Sequence, residues 1–357
     1  MSVQDRLTAG FWQGKRVLVT GHTGFKGGWL ALWLQRLGAQ VTGVSLPPCT
    51  QPNLYTLGQV ADCCQSHFCD IRTPEPFAAL VKQADPEIVF HLAAQPLVRA
   101  SYDDPVGTLA SNVMGTAHLL EALRQLNRIR VAVMVTTDKV YHNNESPLPY
   151  REDDTLGGHD PYSASKAASE IVIGCYRAAF LAERGVAVSS ARAGNVIGGG
   201  DWSADRLVPD AMRAWRSGQT LTIRRPQAIR PWQHVLEPLA GYLALAQASW
   251  AEPGLADAYN FGPATDEAAT VRQVVELARE GYGVGAVQFC DDTAGPHEAG
   301  WLALETAKAR FALGLKPRWA LRQAVQRTMD WYRAQHEGAD ARSLCLAQIH
   351  DYEALLQ

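Results

Sequence analysis

Tyr162 and Lys166 lie four residues apart in a stretch whose pattern predicts a helix. Residues four apart share one face of a helix, so the two side chains can act on the same group. A phenol with a pKa of about 10 is a poor base at neutral pH, but a nearby ammonium group favours the phenolate. The pair therefore predicts a tyrosine base that is assisted by a lysine. A surface contact between the two side chains is the alternative.

A second group of reactive side chains, Thr137, Asp138 and Lys139, directly follows a predicted strand at residues 131–136. The Thr137 hydroxyl can hydrogen-bond a substrate oxygen beside the tyrosine, and Asp138 and Lys139 offer an acid and a base in one loop. A carboxylate at a strand end is alternatively a helix cap or part of a surface ion pair. Open parallel sheets bind ligands beyond the carboxyl ends of their strands, so we expect this loop and Tyr162 to meet there.

Three glycines spaced three apart, Gly21, Gly24 and Gly27, separate the first predicted strand from a predicted helix. Without side chains the backbone can turn sharply and approach a diphosphate, whose charge is favoured at the helix N-terminus. Neither Ser nor Thr follows Lys26, which excludes the P-loop that binds nucleoside triphosphates. An incidental tight turn is the alternative. The loop therefore predicts a site for a dinucleotide cofactor. The residues predicted to bind it are Gly21, Thr23, Gly24, Phe25, Lys26 and Gly27.

The end of the second predicted strand bears on the choice between NAD and NADP. An acidic residue there would hold the ribose hydroxyls of NAD, whereas an arginine would favour NADP. This chain has Ser45 and Leu46 at that place, and residues 44–71 contain no lysine or arginine. The absence of a basic residue from this stretch favours NAD as the cofactor, and NADP remains the alternative.

These motifs need an α/β frame, and the first half of the chain alternates β-rich runs with helical segments, as in a parallel sheet wrapped by helices. We predict strands at 16–20, 40–45, 87–91, 131–136 and 185–192, with another running into Asp70, and helices at 24–37, 108–126, 161–183, 235–248 and 320–332. Residues 1–193 and about 228–258 are expected to form a doubly wound, Rossmann-type cofactor domain. Residues 194–227 and 259–357, including a polar loop near 291–300, are expected to form a smaller C-terminal α/β lobe that binds substrate.

Composition excludes several classes of protein. A formal net charge of -3 over 357 residues lacks the basic field of a nucleic-acid binder. No apolar run reaches the roughly 18 residues that span a membrane, and the N-terminus lacks the apolar stretch of a secretory signal. Seven cysteines form neither a disulfide framework nor a spaced metal site. We therefore expect a cytoplasmic enzyme that binds no metal, membrane or nucleic acid.

Five motifs resemble the extended short-chain dehydrogenase/reductase family and occur in that family's order. They are TGHTGFKG, Asp70–Ile71, His91–Ala94, Asn112–Thr116 and the Tyr162/Lys166 pair. The resemblance covers nearly the whole chain and implies a Rossmann domain followed by a smaller substrate lobe. It implies that Asp70 bonds the adenine amine and that Ile71, Leu92, Ala93 and Ala94 line the cofactor groove. It also implies a homodimer formed by the helices at 108–126 and 161–183.

Longer strings resemble one branch of that family, the CDP-glucose 4,6-dehydratases: HLAAQPLVR, TTDKVY, RAGNVIGGGDW and RPWQHVLEPL. Lys139 is the distinguishing position, because related dTDP- and GDP-sugar dehydratases have glutamate after the aspartate. The chain departs from this branch at Ala164, at Thr137, where serine is common, and at residues 146–149, which lack the usual tryptophans.

The resemblance implies that CDP-glucose loses water through oxidation at C4, elimination across C5 and C6, and hydride return to C6. The implied catalytic residues are Thr137, Asp138, Lys139, Tyr162 and Lys166, with Lys139 either the C5 base or an electrostatic stabiliser. The implied substrate-binding residues are Asn195, Arg206, Arg230 and His234. The alternatives are an epimerase, a dehydratase for another nucleotide sugar, and a regulator that binds the cofactor without catalysis.

Overall fold

The computed structural model describes residues 9–290 and 300–356, and it contains thirteen strands in that part of the chain. In chain order they are β1 (Arg16–Thr20), β2 (Gln40–Ser45), β3 (Gln65–Phe68), β4 (Ile88–His91), β5 (Val131–Val135), β6 (Ala187–Ala193), β7 (Val196–Ile197), β8 (Thr220–Ile223), β9 (Ile229–Arg230), β10 (Gln233–His234), β11 (Ala258–Phe261), β12 (Ala269–Thr270) and β13 (Ala286–Phe289). Seven of them form one sheet in the order β11-β6-β5-β4-β1-β2-β3.

Fourteen α-helices occur in the described residues. They are α1 (Ala9–Trp12), α2 (Phe25–Arg36), α3 (Leu54–Leu57), α4 (Pro74–Ala84), α5 (Val98–Asp103), α6 (Pro105–Leu109), α7 (Gly115–Leu123), α8 (Pro161–Tyr176), α9 (Leu207–Arg216), α10 (Leu236–Ala251), α11 (Val271–Tyr282), α12 (Ala307–Leu313), α13 (Leu321–His336) and α14 (Ala341–Ala354). A π-helical turn, Ala110–Met114, joins α6 to α7, and another, Arg177–Leu181, extends α8. None of the described helices is long and apolar enough to cross a membrane.

All neighbouring strands of the large sheet run parallel. Successive side chains of a strand point to opposite faces, and β1 shows this directly. Val17 and Val19 pack into one hydrophobic cluster, whereas Leu18 packs into the other. Because both faces are apolar, both must be covered by helices. Helices α4, α7 and α8 contribute to the cluster around Leu18, and α2 and α10 contribute to the cluster around Val17 and Val19.

The cluster on the α2 and α10 face continues without interruption into the C-terminal helices. Met212 of α9, Val274 of α11 and Trp331 of α13 belong to the same cluster as Val17. The small strand pairs β7–β10, β8–β13 and β9–β12 lie outside the central sheet in this region. The C-terminal part therefore packs on the Rossmann core through apolar contacts.

The predicted fold class is confirmed by the seven-stranded parallel sheet and its flanking helices. The bounds of β1 and β2 agree with the prediction, and the other predicted strands and helices differ by a few residues at their ends. The last strand of the central sheet in chain order, β11, ends at residue 261, beyond the 258 proposed as the domain limit. Most of the predicted loop near 291–300 lies outside the described residues, and the division into two lobes stays a prediction.

Candidate active site

The sheet order reverses between β1 and β4, and the glycine loop lies at that point. Gly21 has a φ of 79°, and a Cβ there would stand 2.7 Å from the backbone nitrogen of Ala93. A Cβ at Gly27 would stand 2.1 Å from the carbonyl oxygen of Gly21. The N-cap of α2 is Gly24, which has no side chain to satisfy the first N–H groups of the helix. This cradle fits the diphosphate of a dinucleotide, because an anion can approach the backbone and the positive helix end.

The other predicted cofactor residues surround this cradle. Thr23 Oγ1 lies 2.8 Å from Ser45 Oγ and donates to the Leu46 carbonyl at 2.9 Å, so its side chain fixes the loop against the end of β2. A Cβ on Gly198 would come within 3.0 Å of the Phe25 ring. Phe25 therefore packs beside the glycine-rich segment that leads from β7 into the C-terminal part of the chain. Leu92 also approaches Gly21, because a Cβ on Gly21 would lie 2.9 Å from the carbonyl carbon of Leu92.

Asp70 is engaged by a neighbour that the sequence interpretation did not consider. Arg72 Nη2 lies 2.6 Å from Asp70 Oδ2, and its hydrogen bonds lower the pKa of Asp70. The predicted bond from an adenine amine would therefore share this carboxylate with Arg72. Ile71 is buried, and its side chain fills the space that a Cβ on Gly115 would occupy. Ala94 follows β4 in the same half-buried segment as Leu92 and Ala93.

Tyr162, Lys166 and Thr137 come together at the carboxyl end of β5. Helix α8 starts with Pro161 after an Asp160 cap, whose carboxylate accepts from the Ser163 N–H. Burial raises the pKa of Tyr162 to about 12, and a hydrogen bond with Thr137 acts in the opposite direction.

Lys166 is the partner of this tyrosine on α8. Its Nζ donates to the Val135 carbonyl at 3.2 Å. Burial lowers the pKa of Lys166 to about 8, and the nearby charge of Glu170 opposes that shift. The lysine therefore stays mostly protonated at neutral pH, as assistance to a phenolate requires.

Asp138 is fully buried at the start of a short 3₁₀ turn, and its two carboxyl oxygens have different surroundings. Its Oδ1 accepts from Thr137 Oγ1 at 2.9 Å and from Lys139 Nζ at 3.2 Å. Its Oδ2 is buried and has no hydrogen-bond partner within the described part of the protein. A Cβ on Gly194 would lie 1.9 Å from that oxygen, so only glycine leaves room for the carboxyl there. A fixed carboxyl with one unused oxygen can exchange a proton with a ligand.

A buried ion pair joins α8, which carries Tyr162 and Lys166, to β6. Glu170 and Arg192 expose 2% and 4% of their side chains and are joined by two parallel contacts of 3.0 Å. Glu170 also accepts from the hydroxyls of Thr136 and Ser190, and Arg192 donates to the Tyr141 hydroxyl at 2.8 Å. The pair therefore connects α8, β6 and both ends of the TTDKVY loop. The sequence interpretation missed it, although Glu170 stands four residues after Lys166.

The predicted substrate residues fall into different surroundings. Asn195 has a φ of 40°, and its Oδ1 is buried and unpartnered among the described residues. Arg206, at the N-cap of α9, pairs with Asp201 at 3.0 Å, and its charge acts on Tyr162. Arg230 lies in β9 and donates to the Ile229 carbonyl at 2.8 Å.

His234 lies in the hydrophobic core, and its role as a substrate residue stays a prediction. It is fully buried, and its ring makes edge contacts with the rings of Trp29 and Trp319 at 6.0 and 4.8 Å. Burial lowers the pKa of His234 to about 3, so the imidazole is neutral. Its Nδ1 accepts from the Leu236 N–H at 3.3 Å, in the first turn of α10. In this structure the imidazole therefore packs between α2, which carries Trp29, and the C-terminal part of the chain, which carries Trp319.

Comparisons with known proteins identify the family of this chain. The sequence profile of the GDP-mannose 4,6 dehydratase family matches residues 18–328. The chain belongs to this family. It is 46% identical over 348 residues to a CDP-glucose 4,6-dehydratase of Salmonella typhimurium, covering 96% of this chain and 97% of that protein. A dTDP-glucose 4,6-dehydratase of Streptomyces antibioticus is 31% identical, covering 70% of this chain and 71% of that protein.

Solved structures share the fold over most of their length. The structure of MoeE5 in complex with UDP-glucuronic acid and NAD superimposes with a TM-score of 0.74 at 25% identity, covering 89% of this chain and 99% of that one. A UDP-glucose 4-epimerase from Brucella ovis in complex with NAD reaches a TM-score of 0.77 at 22% identity, covering 89% and 98%. No group of three or more His, Cys, Asp or Glu side chains suited to a metal ion occurs in residues 9–290 and 300–356.

Replacement of Gly27 by alanine tests the cofactor cradle. The new Cβ would meet the Gly21 carbonyl oxygen at 2.1 Å, so the loop must open. We expect NAD to bind weaker by on the order of tenfold or more in Gly27→Ala, measured by isothermal titration calorimetry. Gly174→Ala is the matched control, because this helical glycine has only the tip of Arg177 within 4 Å, at 3.9 Å. Equal NAD affinity in both variants would contradict the assignment of the cradle.

Replacement of Glu170 by glutamine tests the buried ion pair. The change leaves the Arg192 charge without its partner, and we expect a loss of about 3–5 kcal/mol in the free energy of unfolding. Urea denaturation measures the loss, with the exposed Glu183→Gln as control. Glu170→Met combined with Arg192→Met removes both charges and should recover most of the stability. A stability of Glu170→Gln equal to that of the control would show that the pair does not support the fold.

Proposed function

We propose that this chain is a CDP-glucose 4,6-dehydratase that converts CDP-D-glucose to CDP-4-keto-6-deoxy-D-glucose and water. The observation that carries the proposal is the buried carboxyl of Asp138, one oxygen of which has no hydrogen-bond partner among the described residues, near Tyr162. With NAD as the hydride acceptor, a tyrosine and a lysine suffice to remove the hydroxyl proton when a sugar is oxidised, whereas loss of water also needs an acid. The 46% identity to the Salmonella typhimurium enzyme, with nearly complete coverage, supports the choice of CDP-glucose.

In this proposal the Tyr162 phenolate takes the proton of the C4 hydroxyl. Lys166 stabilises the phenolate electrostatically, and Thr137 hydrogen-bonds the same oxygen. When bound in the glycine cradle, NAD supplies the hydride acceptor for C4 and the hydride donor for C6, so no net oxidation results. The NAD complex of MoeE5, at 25% identity, supports NAD as the cofactor.

The new C4 ketone makes the C5 hydrogen acidic, and the second group of residues then acts. Asp138 donates a proton to the departing C6 hydroxyl from a carboxyl that burial keeps away from bulk water. Lys139, whose Nζ lies 3.2 Å from Asp138 Oδ1, takes the C5 proton, or it stabilises the enolate while water or another group takes that proton. A proton returns to C5 when hydride adds to C6. The net reaction is elimination of water, which makes the enzyme a lyase.

The substrate is held through its diphosphate. Asn195 and Arg206 are suited to this contact, because the Asn195 side-chain oxygen is buried without a partner and the Arg206 charge acts on Tyr162. Arg230 is a further candidate, because a guanidinium can meet two phosphate oxygens at once. An epimerase would use the same tyrosine and lysine but would not require the Asp138–Lys139 pair.

We further propose that the enzyme is a homodimer formed by the helical segments at 108–126 and 161–183. Exposed large apolar side chains concentrate there, which is typical of a protein interface. Leu109, Met114, Ile171 and Phe180 lie in these segments, and Tyr102 and Val106 lie just before them; Val106 is 74% and Ile171 64% exposed. Light scattering measures the assembly, and a mass equal to one 38.9 kDa chain at micromolar concentration would contradict the dimer.

Product masses test the reaction. The purified protein is incubated with CDP-, dTDP-, UDP- and GDP-hexoses, with and without added NAD. We expect loss of one water from CDP-glucose alone, without accumulation of NADH. An isomeric product without loss of water would indicate an epimerase, and loss of water from another nucleotide sugar would change the substrate. No conversion of any sugar would favour the regulator.

A Lys139→Met variant tests whether C4 oxidation and water loss depend on different residues. Its Tyr162, Lys166 and Thr137 are unchanged, so C4 oxidation in a single turnover should persist as transient NADH absorbance. Water loss should fall by about two or more orders of magnitude, the usual contribution of a general acid or base. Equal loss of both half-reactions would contradict the proposed division between the two groups of residues.

A further inference from the structure

An ion pair joins α5, which follows β4, to the segment that precedes α9. Arg99 Nη1 lies 3.1 Å from Asp205 Oδ1, and the two residues are far apart in the chain. Their side chains are 36% and 43% exposed, so the pair lies at the surface. Exposed ion pairs add little to the stability of a fold, so this pair matters mainly for the elements that it connects.

On one side the pair is tied to Tyr162. Arg99 lies on α5, and the Oγ of Ser101 on the same helix accepts from the Tyr162 N–H at 3.1 Å. Ser101 is fully buried, so this hydrogen bond is shielded from water. A displacement of α5 would therefore be transmitted to the first turn of α8, which carries Tyr162.

On the other side the pair leads to Arg206. Asp205 directly precedes Arg206, which is the N-cap of α9. Asp205 has a φ of 58°, in the left-handed region that aspartate and asparagine adopt more readily than most residues with a side chain. This backbone conformation, together with the carboxylate held by Arg99, sets the direction in which the chain enters α9.

Arg206 lies among other charged groups, so its position needs restraint. Its charge acts on Tyr162 and on Lys26, whose Nζ donates to the Tyr242 hydroxyl at 3.3 Å. Because like charges repel, the Lys26 ammonium pushes the Arg206 guanidinium away from the site. Asp201, at 3.0 Å, holds the guanidinium itself, and the Arg99–Asp205 pair holds the backbone beside it.

The Arg99 guanidinium has one direct contact with the α9 side. Asp210 on α9 also interacts with the Arg99 charge, but Arg213 binds the Asp210 carboxylate. Arg99 Nη2 is buried and has no hydrogen-bond partner among the residues that the structure describes. The link between α5 and the α9 segment therefore runs through the bond from Arg99 Nη1 to Asp205.

We propose that the Arg99–Asp205 pair is a positioning contact that holds Arg206 at the distance from Tyr162 at which the diphosphate and the sugar of one substrate bind together. The inference rests on the proposed function, in which Arg206 binds the diphosphate. A diphosphate contact holds the substrate and the transition state equally, so loss of the pair should raise KM and leave kcat nearly unchanged.

Calorimetric titration of CDP into the NAD-loaded protein measures the contact without turnover. Asp205→Asn removes the charge and keeps a residue that tolerates left-handed backbone. We expect this variant to bind CDP about two- to fivefold weaker, the range of one exposed ion pair. The KM for CDP-glucose should rise by the same factor, with kcat changed by less than about twofold. High salt should reduce the difference from the wild type, because salt screens an exposed pair.

Asp85→Asn is the matched control. Asp85 also has a positive φ, 40°, and its carboxylate lies 2.8 Å from Arg128 Nε. It ends α4 before the amino end of β4, whereas the site lies at the carboxyl ends of the strands. Both variants lose one surface ion pair at a left-handed aspartate, so they should unfold at similar urea concentrations. Asp85→Asn should bind CDP as the wild type does, and equal CDP affinity in the two variants would overturn the proposal.

Two changes at Arg99 separate positioning from direct contact with the ligand. Arg99→Gln combined with Asp205→Asn should weaken CDP binding no more than either change alone, because both remove the same contact. Arg99→Lys keeps the charge, and the contact with Asp205 needs only one donor, so this variant should retain most of the affinity. Additive losses in the double variant would show that Arg99 acts on the ligand independently of Asp205, which contradicts the proposal.

Product masses decide the function separately. A protein that removes water from CDP-glucose, with equal CDP affinity in Asp205→Asn and Asp85→Asn, keeps the function and loses the inference. A protein that binds CDP more weakly only in Asp205→Asn, but converts no nucleotide sugar, keeps the inference and loses the function. No binding of CDP by the wild type would overturn both.

Discussion

Glu170 on α8 and Arg192 on β6 form a two-contact ion pair that is almost wholly out of water. Two buried charges are costly unless each hydrogen-bonding group has a partner, and here Thr136, Ser190 and Tyr141 supply the remaining bonds. These partners come from the end of β5, from β6 and from the loop that follows β5. The requirement for complete pairing therefore fixes the helix that carries Tyr162 and Lys166 relative to the loop that carries Asp138.

The reactive groups then differ in how burial acts on them. Burial raises the pKa of Tyr162 and lowers the pKa of Lys166, so burial alone opposes the charged form of each. Glu170 partly restores the charge of Lys166, which in turn favours the phenolate. The same ion pair thus has an electrostatic effect in addition to its geometric one. Asp138 differs again, because the missing side chain of Gly194 gives its carboxyl a closed space.

Much of the site was predictable because its residues are close in sequence. The glycine spacing, the four-residue separation of Tyr162 and Lys166, and the Thr137–Lys139 run are local patterns, and parallel strands bring their ends to one edge. His234 shows the limit of this reasoning. Its motif matches a substrate-binding segment, but packing against Trp29 and Trp319 from distant parts of the chain places it in the core.

The sequence by itself determined the α/β class and the strand bounds at the start of the chain, and it singled out the side chains that we propose to react. Periodicity and glycine spacing are properties of short segments, so no folding is needed to recognise them. Only the tertiary structure decided which carboxylates are occupied by neighbours, which are free, and how far each group is from water. These properties depend on contacts such as Glu170–Arg192, Asp138–Gly194 and Lys26–Tyr242. Such contacts join residues 22, 56 and 216 positions apart, and local pattern carries no information about them.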